Sequence, residues 1–170
     1  MANRDSAFGF KVVKSAEAPV QMIMATGQTV AVGDPVTFEL TGVTLATASS
    51  EFVHGVIVPQ ENASGVHKTY GENLFTTSTA GQTVAIQRAT GASFAAQCSG
   101  STTAIIRGAT VDIEGTTGAV EVNENAQSVK VFTIDHVLNG EPFGDQVVAL
   151  GANGIVIGRF VAESGIDTDT

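Results

Sequence analysis

The side chains best suited to catalysis or metal binding are few: three histidines, His54, His67 and His136, one cysteine, Cys98, and seventeen carboxylates. Their spacing assembles no known constellation. There is no His-x-x-x-His pair to seat a metal, and Asp167-x-Asp169 lacks the glycine and closing glutamate of a calcium loop. Neither a Gly-x-x-x-x-Gly-Lys-Ser/Thr phosphate cradle nor a Gly-x-Ser-x-Gly nucleophile elbow occurs. His136 follows Asp135, and neighbours on a strand point to opposite faces, so the two cannot share a proton directly. Within Phe52-Val53-His54-Gly55-Val56-Ile57, alternation sets His54 opposite Val53, on a solvent or interface face. Cys98 closes an alternating apolar run with no thiolate stabiliser beside it, and reads as a small buried hydrophobe. As the single cysteine it forms no intramolecular disulfide. A Ser-His-Asp site assembled in three dimensions stays open but has no positive signal. The expectation is no enzyme, no cofactor and no metal: recognition by surface.

The elements that must present such a surface are short strands. Runs of four to eight alternating or β-branched residues recur, each stopped by Gly, Pro, Asn or Asp, which predicts an all-β body, barrel or sandwich. The pattern places strands near Val20 to Ala25, Pro35 to Leu40, Phe52 to Val58, Leu74 to Thr77, Gln82 to Arg88, Ser93 to Cys98, Thr110 to Ile113, Val129 to Leu138, Gln146 to Leu150 and Gly154 to Val161. A weak helical turn around Thr102 to Arg107 is the one exception. Val32-Gly33-Asp34-Pro35 should reverse the chain. Glu114-Gly115-Thr116-Thr117-Gly118 and Ala152-Asn153-Gly154 read as hairpin loops. Gly27-Gln28-Thr29-Val30-Ala31 recurs as Gly81-Gln82-Thr83-Val84-Ala85, which hairpin chemistry explains and which, if a true repeat, would mean two similar β-units.

At 170 residues the chain can bury a core without staples. No leader pattern opens it and no apolar run reaches membrane-spanning length, so the expectation is a soluble protein made in the cytoplasm, with no membrane partner. Seventeen acidic against eight basic residues, a formal charge of -9, argues against a nucleic-acid binder. Residues 1–14 depart from that balance, with Arg4, Lys11 and Lys14 against Asp5. The reading is an extended N-terminal arm over 1–18, a β-body over 19–161 that is one unit or two fused ones, and an acidic tail over 162–170. On the arm, Arg4, Phe8, Phe10, Lys11 and Lys14 are the candidate partner-binding residues, with the two rings as anchors. The alternative for Phe10 is that it begins the first core strand with Val12. The long polar segment Pro59 to Asn73 carries His67 and Tyr70, candidates for a contact between subunits.

Phe94 to Asp145, FAAQCSGSTTAIIRGATVDIEGTTGAVEVNENAQSVKVFTIDHVLNGEPFGD, resembles the core of capsid decoration (cement, head-stabilising) proteins of tailed bacteriophages. A Phe-x-x-Gln strand leads to a polar turn, a Gly-x-x-x-Asp-hydrophobic strand, a Thr/Gly hairpin and an apolar strand. The opening Met1-Ala-Asn-Arg-Asp-Ser-Ala-Phe-Gly-Phe-Lys is similar to the start of the same proteins. The resemblance implies a structural virion protein on the outer surface of the expanded capsid. Its partners would be the major capsid protein and its own copies, as a homotrimer. Two other readings accompany it: a tail-tube or other ring-forming virion protein, and a glycan-binding β-module, the latter weakened by the absence of Trp and the single Tyr.

Overall fold

The computed structural model describes residues 3–5, 7–103, 105, 107–123 and 129–161. The acidic tail expected over 162–170 lies outside these. Among the described residues the chain is all-β, and the part of Thr102 to Arg107 that is described forms turns, not a helix. Strand β1 (Phe10–Ser15) leads into a first group: β2 (Val20–Ile23), β3 (Val30–Ala31), β4 (Pro35–Glu39), β5 (Gly42–Leu45), β6 (Gly55–Ile57), β7 (Gln60–Glu61), β8 (His67–Lys68), β9 (Asn73–Phe75) and β10 (Thr83–Arg88). A second group follows: β11 (Ala92–Gln97), β12 (Thr110–Glu114), β13 (Glu121–Asn123), β14 (Phe132–Val137), β15 (Glu141–Phe143), β16 (Gln146–Val148) and β17 (Ile155–Phe160).

The two main sheets run β2-β10-β6-β4-β5 and β1-β11-β17-β14-β12-β13. With β1 set aside, the orders are the same. In each, the first strand in sequence lies beside the fifth, the fifth beside the fourth, the fourth beside the second, and the second beside the third. In each, the third strand then returns to the first through one parallel bridge, Met24 with Val43 and Cys98 with Val122. Both sheets therefore curl into rolls whose ends meet at a single bridge, too narrow a ladder to close a barrel.

The registers coincide as well. Gly55 lies opposite Val36 and Arg88 in the first roll, and Phe132 lies opposite Val111 and Phe160 in the second. Phe38 faces Val43, and Ile113 faces Val122. The Gly33 N–H donates to the Ile57 carbonyl at 2.8 Å, matched by Gly108 to Ile134 at 2.7 Å. Return bonds run from Ile57 to Asp34 at 3.0 Å and from Ile134 to Ala109 at 2.8 Å. Even a side-chain bond repeats, since Thr44 Oγ1 donates to Glu39 and Asn123 Nδ2 donates to Glu114. The chain is thus a tandem of one five-stranded unit. Identity survives at few matched positions, among them Gly33/Gly108, Val36/Val111, Glu39/Glu114, Val43/Val122, Ile57/Ile134 and Val84/Val156. The Gly-Gln-Thr-Val-Ala echo is not among them. It marks two turns, at Gly27 and Gly81, both with φ near +80°, that lead into the non-equivalent strands β3 and β10.

One matched pair shows how two different sequences satisfy the same fold. A Cβ on Gly55 would lie 2.4 Å from Ile86 Cγ2, and one on Gly158 would lie 2.7 Å from Phe132 Cε1. By register Gly55 corresponds to Phe132 and Ile86 to Gly158, so the two rolls fill the same space with the large residue on opposite strands. Such volume-conserving exchanges are the ones cores tolerate. Gly158→Ala adds a methyl that also meets the Thr133 carbonyl oxygen, and is expected to cost roughly 2–3 kcal/mol. A lower urea midpoint with unchanged slope would report it; an unchanged midpoint would contradict this packing.

Each roll has its own core. The first is built on Met24, Val30, Val36, Val43, Ile57, Val84 and Ile86, and the second on Phe94, Val111, Ile113, Val122, Phe132, Ile134 and Phe160. Strand β6 is buried on both faces because Ile57 points into the first core while Val56 joins the second. That accounts for the unbroken apolar run the sequence shows there.

The expected extended arm is not found, because residues 10–15 form an edge strand of the second roll. β1 pairs antiparallel with β11, Phe10 opposite Ala96 and Val12 opposite Phe94, with a bulge between Val12 and Lys14. The Phe10 N–H also donates to the Gly33 carbonyl at 2.8 Å, which ties the strap to the turn between β3 and β4. That crossing requires glycine on both chains. A Cβ on Gly9 (φ +72°) would meet Gly33 O at 2.5 Å, and one on Gly33 (φ +98°) would meet Phe8 O at 2.4 Å.

Candidate functional site

Most of the candidate partner-binding residues on the arm are engaged within the chain. Phe10 is fully buried, its ring centroid 5.2 Å from Phe132 and 4.8 Å from Phe160. It is a core residue and is not available as an anchor; the alternative reading, a first core strand, is the correct one. Phe8 is half-buried and stacks on Phe143 at 5.5 Å. The Lys11 ammonium lies 5.1 Å from the same ring, a cation–π placement. Arg4 pairs with Asp145 at 3.0 Å, and its carbonyl accepts a hydrogen bond from Gln97 Nε2. The complementarity between basic arm and acidic body is therefore used inside the molecule. Lys14 is exposed beyond the bulge.

Pro59 to Asn73 is an ordered excursion: β7 and β8 pair, and Asn62 Oδ1 accepts from the Ser64 and Val66 amides at 3.0 and 2.9 Å, an Asx-type turn. His67 is exposed on β8. Tyr70 is half-buried, and its hydroxyl accepts the Val12 N–H at 3.3 Å. Burial pushes that phenol upward.

Two features that the sequence reading did not single out lie between the rolls. The first is Asp34, one of the few buried charged side chains. Its Oδ2 accepts from the Ala31 amide at 2.8 Å and its Oδ1 from the Gly118 amide at 2.7 Å. It therefore ties the turn before β4 to the β12–β13 hairpin of the other roll. Burial outweighs these two bonds and raises its pKa from 3.8 to about 6. A cleft of about 360 Å³ opens beside it, walled by Leu45, Ala46, Ile113 and Val120. The turn signature Val32-Gly33-Asp34-Pro35 placed the residue in a loop and gave no sign of burial.

The second is a larger cleft of about 640 Å³ where the end of the first roll meets the second. Phe38, Phe52, His54 and Arg88 enter from the first roll, and Thr133, Arg159 and Phe160 from the second. Phe38 and His54 stack at 4.9 Å, and the Phe38 N–H donates to His54 Nδ1 at 3.2 Å, which leaves the proton of the neutral ring on Nε2. Arg159 is held by a two-point bond to Asp135, at 2.8 and 2.9 Å, while His136 turns to Glu141 at 2.7 Å. Asp135 and His136 thus serve different partners, as their adjacency on a strand requires. Cys98 is buried, its N–H bonded to the Gly154 carbonyl at 2.8 Å. Among the described residues no three metal-ligating side chains converge.

No protein-family model, no curated protein and no solved structure matches this chain.

Proposed function

We propose that this protein is a structural component of a tailed-bacteriophage virion that binds the outer surface of the expanded capsid and holds neighbouring major capsid protein subunits together. One observation supports the reading. The two stretches that resemble decoration proteins, the opening residues and Phe94 to Asp145, are far apart in sequence yet pack on each other as one folded roll. Phe10 pairs with Ala96, Phe8 stacks on Phe143 and Arg4 bridges to Asp145. A chance likeness in two separate segments carries no requirement that they meet.

The mechanism differs from an arm that reaches out. With residues 7–12 committed to the second roll, attachment falls to the rigid surface, where Leu40 is fully exposed at the tip of the β4–β5 hairpin and Ile23 is exposed on β2. Three copies around a capsid axis would convert modest single contacts into a tight one through effective concentration. Preference for the expanded shell requires contacts that come into register only in that state.

The test is co-sedimentation of the purified protein with expanded, undecorated capsids from its own source, with unexpanded shells alongside. Saturable binding to expanded shells alone is expected, weakened by Leu40→Asp. Failure to bind either shell would overturn the proposal.

A further inference from the structure

The tandem supplies a reference that a single roll would not: each position in the five matched strands of one unit has a counterpart in the other that accommodates the same register. At the end of the second roll where β14 begins and β17 finishes, the residues are Val131, Phe132 and Phe160, all buried in the aromatic core that Phe10 completes. Their register counterparts in the first roll are His54, Gly55 and Arg88. Where the second roll has a hydrophobic end, the first has, at matched positions, an imidazole, a glycine and a guanidinium. Two of these, His54 and Arg88, line the 640 Å³ cleft.

The electrostatics of that cleft run against those of the chain. The protein carries seventeen acidic and eight basic residues, yet the cleft is lined by Arg88 and Arg159 with no carboxylate among its lining residues. Arg159 is already neutralised and oriented by Asp135. The Arg88 side chain is exposed and has no hydrogen-bond or ion-pair partner among the described residues. Beside it the rings of Phe38 and Phe52 provide apolar wall. A fork of N–H donors next to aromatic faces suits a carboxylate flanked by apolar side chains.

We propose that the inter-roll cleft is a binding site for an acidic, partly apolar peptide segment of a partner protein, with a carboxylate on Arg88 and a neighbouring apolar side chain against Phe38 and Phe52. This does not rest on the capsid reading, because the probe is a peptide and not a shell.

The experiment is fluorescence polarisation at low salt with a fluorescein-labelled Glu-Phe-Glu-Leu-Glu-Phe-Glu peptide. Its Lys-for-Glu counterpart and a labelled ten-residue oligothymidine serve as comparison probes. Saturable binding of the acidic peptide alone is expected. Arg88→Ala should weaken it by roughly tenfold or more, the scale of one charged hydrogen bond. Lys68→Ala, outside the cleft, should leave it unchanged. Because the Arg88 side chain is exposed, the variant should keep its thermal midpoint, which separates a binding loss from a folding one. Three results would overturn the proposal: no saturable binding by the wild type, equal affinity in Arg88→Ala, or equal binding of the oligothymidine, which would indicate indiscriminate polyanion attraction.

Discussion

Phe10→Ala is expected to destabilise the protein by about 3–5 kcal/mol, the range for a buried phenylalanine truncated to alanine. Against a total of about 5–15 kcal/mol for a domain of this kind, that removes about a third or more of the stability for a domain near the middle of the range and populates unfolded chain at its lower end. The argument is geometric. The Phe10 ring is fully buried and lies within 5.2 Å, centroid to centroid, of both Phe132 and Phe160. Phe94 packs on Phe160 in turn, at 5.3 Å. Removing the ring leaves a cavity in the centre of this group, and the surrounding strands are hydrogen-bonded on both sides and cannot collapse into it. Deleting residues 1–14 goes further, since it also strips the edge of β11 and exposes its unpaired amides. The expected outcome is aggregation or a molten second roll. Urea denaturation of Phe10→Ala beside Phe8→Ala checks the point: the half-buried Phe8 should lose less than Phe10. Equal, small losses would mean that the strap does not seal the core in solution.

This outcome reverses what an arm reading leads one to expect, and the reason lies in what a sequence can encode locally. Phe8 and Phe10 sit two apart with a glycine between, a pattern equally at home on a free arm and on an edge strand. Which of these holds depends on whether a β11 edge is open 80-odd residues away, and pairing is non-local. The longer strands were legible because alternation is a property of the strand itself: β4, β10, β11, β14 and β17 fall where the pattern of Val, Ile and Phe places them. The short ones β3, β5, β7, β8, β13 and β15 were missed, since two to four residues carry little period, whereas β6, β9 and β16 lie at or beside the longer runs Phe52 to Val58, Leu74 to Thr77 and Gln146 to Leu150. Glu114 to Gly118 does connect two paired strands. Asn153-Gly154 does not, for β16 and β17 belong to different sheets. Asn153 takes a left-handed φ of 54°, and Gly154 is needed for space, since a Cβ there would sit 2.4 Å from Thr102 Oγ1.

The duplication was hidden for a related reason. What the rolls share is hydrogen-bond register, which different residues can satisfy as long as neighbouring core positions together fill the same volume. Gly55 with Ile86 and Phe132 with Gly158 satisfy the same space with identity at neither matched position, so comparison of residue types fails where comparison of partners succeeds. The five-residue echo that did suggest two units arose from turn chemistry instead. The cleft residues were invisible for the converse reason. His54 was legible as a surface or interface residue from alternation, but Arg88 lines a cleft only because the end of β10 meets β17 of the other roll.

Asp34 leads to the second large expected effect, a pH dependence of stability that runs opposite to the usual one for a carboxylate. The folded protein raises this pKa from 3.8 to about 6, so between those values it binds a proton that the unfolded chain does not. Stability contributed by this group therefore rises as pH falls through about 6 and levels off near 4. Above 6 the full cost of keeping a buried carboxylate charged is present. The interval corresponds to about 3 kcal/mol. Because surface carboxylates such as Glu72, whose pKa is lowered by its bonds to Thr69, contribute in the other direction, the measurement must be a difference. Asp34→Asn is neutral at every pH and resembles the protonated acid, accepting one of the two amides and facing the other with a donor. In urea titrations at pH 4.5 and 7.5, the variant should gain on the wild type by about 2 kcal/mol at the higher pH. There it should equal or exceed the wild type in stability. If instead the bonds from Ala31 and Gly118 outweigh burial, the difference will slope the other way and Asp34→Asn will be weakest at neutral pH. Asp34 bonds to the hairpin of the second roll, while its counterpart there is Ala109, with no side-chain acceptor to offer. The group that titrates is therefore one that joins the two units, and the stability it contributes is expected to rise on acidification because burial of its charge is relieved.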